Sequence, residues 1–341
     1  MACCDPARHR RRTERVQKGD HVEVSTPYAG KRILVTGAGG FIGSHLCRQL
    51  CSGGADVHAV SRVERGASDR KLTWWKGDLA DTAWVQHASQ EIRPEIIFHL
   101  ASEVTGARGL DLVIPTLRCN LVSTVNLLTS AAELGCRRIV LAGSLEEPEW
   151  SEDGIVPCSP YAAAKSSSTL YASMFHSLYQ LSVVTLRLFM VYGPAQKDLQ
   201  KLVPYVVSSL LRSEAPKLSS GTRLVDWIYV EDVVEALLAA GQSEGIAGLT
   251  IDIGSGSLTS IRRVVELLAE AVGTGITPLF GAIPDRAFER HRVADLDKAK
   301  ALLGWAPKTS LPDGLRRTVE WYESHLDDIQ AGLLPSQVVA R

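Results

Sequence analysis

The stretch "KRILVTGAGGFIGSHL", Lys31 to Leu46, restricts the fold more than any other part of the chain. A short apolar run, Ile33 to Thr36, stops at glycines. Apolar residues then recur at helical spacing, at Ile42, Leu46 and Leu50, and "GGADVHAV" returns to a strand. A strand, a glycine turn, a helix and a second strand in that order predict a parallel sheet covered by helices. Glycines at 37, 40 and 43 let backbone N–H groups approach a pyrophosphate closely. The helix start at Phe41 and Ile42 adds a favourable field for the same anion. Several glycines also suit a purely structural turn. The order of the four elements points instead to a dinucleotide.

The alternation continues. "KLTWWKGDL" reads as a third strand with its turn, "WVQHASQEI" as a helix ended near Pro94, and "EIIFHLAS" as a fourth strand. A long helix is expected over roughly 111–134, a fifth strand at "RRIVLAGS", a helix over 161–179 and a sixth strand at "SVVTLRLF". The expected class is therefore α/β, a Rossmann-type, mostly parallel sheet. After Tyr192 the pattern loosens into a smaller α/β lobe. The organisation predicted is a basic, disordered leader (1–30), a nucleotide-binding domain carrying the catalytic residues (31–192), a substrate lobe with segments returning to the first domain (193–330) and a flexible tail (331–341).

Charge excludes some functions. Lysine and arginine number 37 against 38 acidic residues, without the basic excess that nucleic-acid binding usually shows. Seven cysteines, an odd number, follow no zinc spacing, so no metal is expected and the thiols read as reduced in a cytoplasmic protein. No long apolar run or signal core suggests a membrane. Trp74, Trp75, Trp227, Trp305 and Trp321 are scattered and read as packing residues.

The second strand ends "VHAVSRVERG", with Ser61 and Arg62 where an acidic residue would meet an adenosine ribose, and Arg65 close by. A hydroxyl and a cation suit a 2'-phosphate, so NADP is favoured and NAD is the alternative. Asp78, followed by Leu79 in "GDL", either contacts the adenine amine or simply closes a turn.

Tyr161 and Lys165, four apart at the start of a helix, share one face. A nearby ammonium favours the ionised tyrosine, which can take a proton from a sugar hydroxyl while hydride leaves the carbon. Ser144, at the end of the fifth strand, can hold the same oxygen.

Taken together, "TGAGGFIG", "GDL", "HLAS", the strand-end serine, "YAAAK", "RLFMVYGP", "DWIYVEDVV" and "PDRAFERHRVAD" resemble the extended short-chain dehydrogenase/reductase family, in particular its nucleotide-sugar epimerases and dehydratases. The resemblance runs from about Lys31 to about Leu326. It implies a catalytic triad of Ser144, Tyr161 and Lys165, the last two also touching the cofactor. Leu100, Ala101 and Ser102 would line the nicotinamide, Asn120 would support the site, and a nucleoside-diphosphate sugar would lie against the smaller lobe. It also implies a homodimer built from the helices near 111–134 and 161–179.

Within that resemblance, "SLEEPEW" decides the expected reaction. Family dehydratases carry a hydroxyl residue, a variable or acidic residue and then glutamate, and Ser144, Leu145 and Glu146 follow that order. Glu146 would remove the C5 proton once C4 is oxidised. The family's usual "VYG" is replaced here by "EPE", so Glu147 is the alternative inward carboxylate, and both glutamates at the surface is the third arrangement. The arginine usual before the aspartate of "VDWIYVEDVV" is Val225 here. Arg223, two residues earlier, lies on the same face of an extended segment. Arg286 is the better candidate for the sugar-nucleotide pyrophosphate, with Arg290 and Arg292 as assistants. The expected function is a 4,6-dehydratase. The alternatives are a 4-epimerase, an NADPH-dependent 4-ketoreductase and a non-catalytic nucleotide-binding relative.

Overall fold

The computed structural model describes residues 26–65, 72–149, 154, 156–285 and 291–330. The leader up to residue 25, the tail from 331, Arg286 and Arg290 lie outside the described residues.

Seven strands form one parallel sheet: β1 (Arg32–Thr36), β2 (Asp56–Ser61), β3 (Leu72–Lys76), β4 (Ile96–His99), β5 (Arg138–Ser144), β6 (Val183–Leu188) and, later in the chain, β9 (Thr250–Ile253). Their order is β3-β2-β1-β4-β5-β6-β9, so it reverses between β1 and β4. In register, Thr36 at the end of β1 faces His99 at the end of β4.

The strands read as continuous apolar runs because both faces are covered. Val35, Phe98, Leu186 and Ile251 pack on α1 (Phe41–Ser52), α7 (Val230–Gln242) and α9 (Leu296–Leu303). Their neighbours Leu34, Ile97 and Ile139 point the other way, onto α2 (Thr82–Ile92), α4 (Ser123–Leu134) and α5 (Pro160–Tyr179). Each aliphatic side chain buried in this way contributes about 1.5–3 kcal/mol. The turn before β1 belongs to the same body, since Tyr28 is buried and its hydroxyl donates to the carbonyl of Leu238.

The smaller lobe holds a mixed sheet of β7 (Met190–Tyr192), β8 (Leu224–Tyr229) and β10 (Leu258–Ser260), in the order β10-β8-β7. Packed on it are α6 (Leu202–Leu211), α8 (Ile261–Val272) and α10 (Leu311–Ser324), and α11 (Leu326–Gln330) follows. Tyr192, Trp227, Val264 and Tyr322 fill its separate core. β7 and β10 are three residues each, too short to show a period in sequence.

The helix expected over 111–134 is not uniform. A 3-10 turn at Leu110–Leu112 leads into α3 (Val113–Thr116), a π-helical segment at Leu117–Val122 and then α4. Hydroxyls explain the wide turn. Ser123 Oγ donates to the carbonyl of Cys119 at 2.6 Å, and Thr124 Oγ1 to that of Asn120 at 2.6 Å. Such side-chain bonds compete with the helical ladder. By length and composition the run Leu110–Leu134 could cross a membrane, but here it packs against α2 and α5.

Candidate active site

The reversal of strand order opens a crevice at the carboxyl ends of β1 and β4, the usual ligand position in such sheets. Its floor is a chain of buried hydrogen bonds. Ala101 N donates to Thr36 Oγ1 (3.2 Å), Thr36 Oγ1 meets His99 Nδ1 (2.7 Å), and His99 Nε2 meets Thr124 Oγ1 (2.9 Å). Thr124 spends its proton on Asn120, so His99 donates from Nε2 and accepts at Nδ1. Burial drives the His99 pKa down to about 3, which keeps the ring neutral. Asn120, in the π-helical segment, accepts from Glu103 N at 2.7 Å and from Ser102 Oγ at 3.2 Å, and donates to the Glu103 carbonyl at 3.0 Å. It therefore orders the loop Leu100–Glu103 at the mouth of the crevice.

Between β1 and α1 the glycine turn is shaped for close approach. Gly37 has φ +68°, and a Cβ there would stand 2.7 Å from Ala101 N. A Cβ on Gly43 would stand 2.2 Å from the Gly37 carbonyl oxygen. Gly40 caps α1 with no side-chain bond, and no acidic residue occupies the first turn, so no side-chain acceptor of the cap or first turn competes for the leading N–H groups at Phe41 and Ile42. These features fit a dinucleotide pyrophosphate. The residues expected to select its 2' position behave otherwise. Ser61 Oγ accepts from Val63 N at 3.2 Å, and the exposed Arg62 guanidinium turns to Cys119 Sγ at 3.7 Å and to Glu103 at 4.0 Å. Arg65 rests against Gly39 and the face of Trp74. Asp78 accepts from Ala80 N at 2.9 Å, a turn bond, while Leu79 is buried and its carbonyl accepts from Asn126.

Ser144, Tyr161 and Lys165 meet above this crevice. The N-cap Ser159 accepts from Ala162 N and Pro160 pre-sets the first turn, so α5 begins one residue before the tyrosine. Tyr161 and Lys165 are both buried, with Lys165 Nζ 6.0 Å from the tyrosine ring centre and donating to the Ala142 carbonyl at 2.7 Å. The Tyr161 hydroxyl faces the side chains of Ser144 and Ser102. Burial pushes the tyrosine pKa up to about 12, and the Ser144 hydroxyl opposes it. Burial also brings Lys165 down to about 8, with the charge of Glu147 opposing.

Of the two glutamates after β5, the second turns inward. Glu147 is 4% exposed and Glu146 is half-buried, its N–H donating to Ser144 Oγ at 3.2 Å. Glu147 Oε1 accepts from Ser144 N at 2.7 Å and Oε2 accepts from Thr169 Oγ1 at 3.0 Å. Arg187 in β6 lies 3.9 Å from Oε2 and donates to Asp252 in β9 at 2.8 Å. Arg292 bonds the Glu147 carbonyl at 3.3 Å and pairs with Glu149 at 3.2 Å and Asp252 at 3.8 Å. Arg292 is thus committed to this ion network. Arg223 stands just before β8, its carbonyl accepting from Ile261 N. Sequence reasoning overlooked Thr169, Arg187 and Asp252. The signal was present: "VVTLRLF" and "LTIDIG" each place one charge inside an apolar strand, where it requires a partner.

Comparison with known proteins agrees with this geometry. The family described as "NAD dependent epimerase/dehydratase family" matches residues 33–254. A UDP-glucose 4-epimerase of Mycolicibacterium smegmatis is 32% identical over 86% of this chain and 99% of its own length. A dTDP-glucose 4,6-dehydratase of Actinoplanes sp. is 29% identical over 86% of this chain and 98% of its own. Among solved structures, the UDP-glucose 4-epimerase of Thermotoga maritima with UDP-glucose superposes with a TM-score of 0.79 at 30% identity, covering 86% of this chain and 99% of that one. The UDP-glucose 4-epimerase of Thermus thermophilus in complex with NAD gives 0.76 at 29% identity, with the same coverage. NAD or NADH is the cofactor in that structure and in several other similar ones, which overturns the expectation of NADP from Ser61 and Arg62. The physical reason lies in the side chains: Ser61 closes its own turn and Arg62 faces a carboxylate. The structural matches also favour an epimerase over the 4,6-dehydratase expected from Glu146.

Proposed function

The chain belongs to the NAD dependent epimerase/dehydratase family, and on that premise we propose that it inverts C4 of a nucleoside-diphosphate hexose, with NAD as its bound cofactor. The observation that carries this reading is the convergence of Ser144, Tyr161 and Lys165 on one point beside the glycine turn. Bound NAD supplies a hydride acceptor at C4, a donor for the return step and a positive ring. Tyr161 takes the proton of the 4-hydroxyl and gives it back, with Ser144 holding the same oxygen. The free protein, with Tyr161 near 12, favours the phenol. Positive charge brought into the cofactor site would lower that value towards the working range. Arg223 and Arg286 are the proposed contacts of the sugar nucleotide.

One observation supports the dehydratase as a second reading: Glu146 is half-buried and its N–H donates to Ser144 Oγ at 3.2 Å, which keeps this residue beside the strand-end serine. The test is incubation of the purified protein with a panel of nucleoside-diphosphate hexoses and no added cofactor. Unchanged mass with inverted C4 by NMR supports epimerisation. A loss of water supports the dehydratase, and activity only with added NADPH and a 4-keto sugar overturns both. Exposed apolar residues on the 110–134 helical run and on α5, including Val113, Ile114, Leu170 and Leu178, support a homodimer joined by these helices. Sedimentation is expected to show twice the chain mass.

A further inference from the structure

We propose that Glu147 is a positioning residue of the active site: its buried carboxylate ties the backbone of Ser144 to the catalytic helix, so that Ser144 and Tyr161 address one substrate oxygen. The inference rests on the epimerase reading for its catalytic consequence, though not for its geometry.

The attachment is double at the serine and single at the helix. Glu147 N donates to the Ser144 carbonyl at 3.0 Å, while Glu147 Oε1 accepts from Ser144 N at 2.7 Å. The serine peptide is thereby held on both sides by one residue. The other carboxylate oxygen accepts from Thr169, which lies one helical turn beyond Lys165 on the same face of α5. The carboxylate therefore bridges the end of β5, which carries Ser144, and the helix that carries Tyr161 and Lys165. Its fit is close, since a Cβ on Gly143 would come within 2.6 Å of Oε1.

A carboxylate this deep is costly unless it is charge-paired and fully bonded. The surroundings meet that need. Arg187 approaches from β6, Lys165 and Thr169 from α5, and Arg292 grips the carbonyl from the segment before α9. Asp252 on β9 engages both arginines and so limits their pull, while Glu146 and Glu149 flank Glu147 on its own loop. Burial raises the Glu147 pKa, and the Ser144 N–H, Arg187, Thr169 and Lys165 all act against that rise. Its negative charge in turn raises both Lys165 and Tyr161.

Glu147→Gln keeps the shape and an acceptor for Ser144 N, but removes the charge. The test measures kcat, KM and NAD affinity of this variant across pH. Expected is a drop in kcat of about 2- to 10-fold, as the charge-assisted bonds to Ser144 and Thr169 become neutral ones, with KM and NAD affinity nearly unchanged. The rising limb of the pH profile is expected to move to lower pH, because Tyr161 loses a neighbouring negative charge. A packing residue would lower activity without moving that limb, so an unmoved limb or an unchanged kcat overturns the proposal. The same shift is readable without sugar, as tyrosinate absorbance of the NAD-loaded protein after subtraction of the Tyr161→Phe titration. Absence of turnover on every sugar therefore counts against the epimerase reading and leaves the test of Glu147 intact. Should Glu147→Gln fail to fold, Thr169→Val removes only the hydroxyl that anchors the carboxylate. It must lower kcat by about 2- to 10-fold, a lost hydrogen bond, and an unchanged kcat overturns the proposal.

Discussion

The glycine turn after β1 and the loop after β5 stand at the same edge of one sheet, and they are built by opposite means. The turn works by removal: Gly37 and Gly43 have no side chains, and backbone N–H groups are left to meet an anion. The loop works by addition, with Glu147, Arg187, Asp252 and Arg292 packed into a buried ion network directly behind Ser144. A backbone device tolerates little change in shape but is indifferent to pH. A side-chain device tolerates some change in shape, and it responds to charge.

The largest effect is expected where both devices aim. Tyr161→Phe removes the group proposed to move the 4-hydroxyl proton and should lower kcat by about 10²- to 10⁴-fold. NAD affinity should hardly change, because the glycine turn is untouched. Stopped-flow turnover beside a direct NAD titration checks this, and loss of NAD binding in step with kcat would merge the two regions. Next comes the turn itself. Gly43→Ala forces a methyl to within 2.2 Å of the Gly37 carbonyl, an overpacking cost of about 1–3 kcal/mol. It should weaken NAD binding about 5- to 100-fold, equally at pH 6 and pH 9. A pH-dependent loss there would place titrating groups in the turn.

The contrast also explains what the sequence disclosed. The strand, glycine turn and helix from Arg32 to Ser52 were legible because each part has a local cause: apolar strand residues, missing Cβ atoms, helical spacing. Tyr161, Lys165 and Ser144 were singled out by resemblance to the family, and the fold sets them close to one another. The ion network was not, because its members lie at 147, 187, 252 and 292 and meet only once β5, β6 and β9 pair. The uniform helix over 111–134 missed its π-helical segment, which depends on the hydroxyls of Ser123 and Thr124. The reading of Arg62 failed for the related reason that its partner Glu103 lies on another loop.

A middle-sized effect separates the regions by pH alone. Lys165 has been brought down to about 8 by burial, so its charge is present below that value and is lost as pH rises through it. Activity should therefore fall on the alkaline side with a limb near pH 8, where the glycine turn contributes no titrating group. The limb belongs to the coupled Tyr161–Lys165 pair rather than to one residue. A kcat/KM profile still rising at pH 10 would remove the lysine charge from the mechanism.

The smallest effect concerns Arg62, and its smallness is the point. The guanidinium and its partner Glu103 are largely exposed, with side chains 68% and 46% accessible and a separation of 4.0 Å. An exposed ion pair of this kind contributes about 0–1 kcal/mol. Arg62→Ala is thus expected to shift NAD affinity by less than about 3-fold, an energy within that range. Were Arg62 a 2'-phosphate ligand, the same substitution would selectively weaken NADP, through loss of a charge-assisted pair. Calorimetric titration of both cofactors into both proteins decides between these outcomes. NAD should bind the parent protein more tightly than NADP, and the substitution should leave that preference in place. A preference for NADP that disappears in Arg62→Ala would instead make this strand end a side-chain device, like the loop behind Ser144.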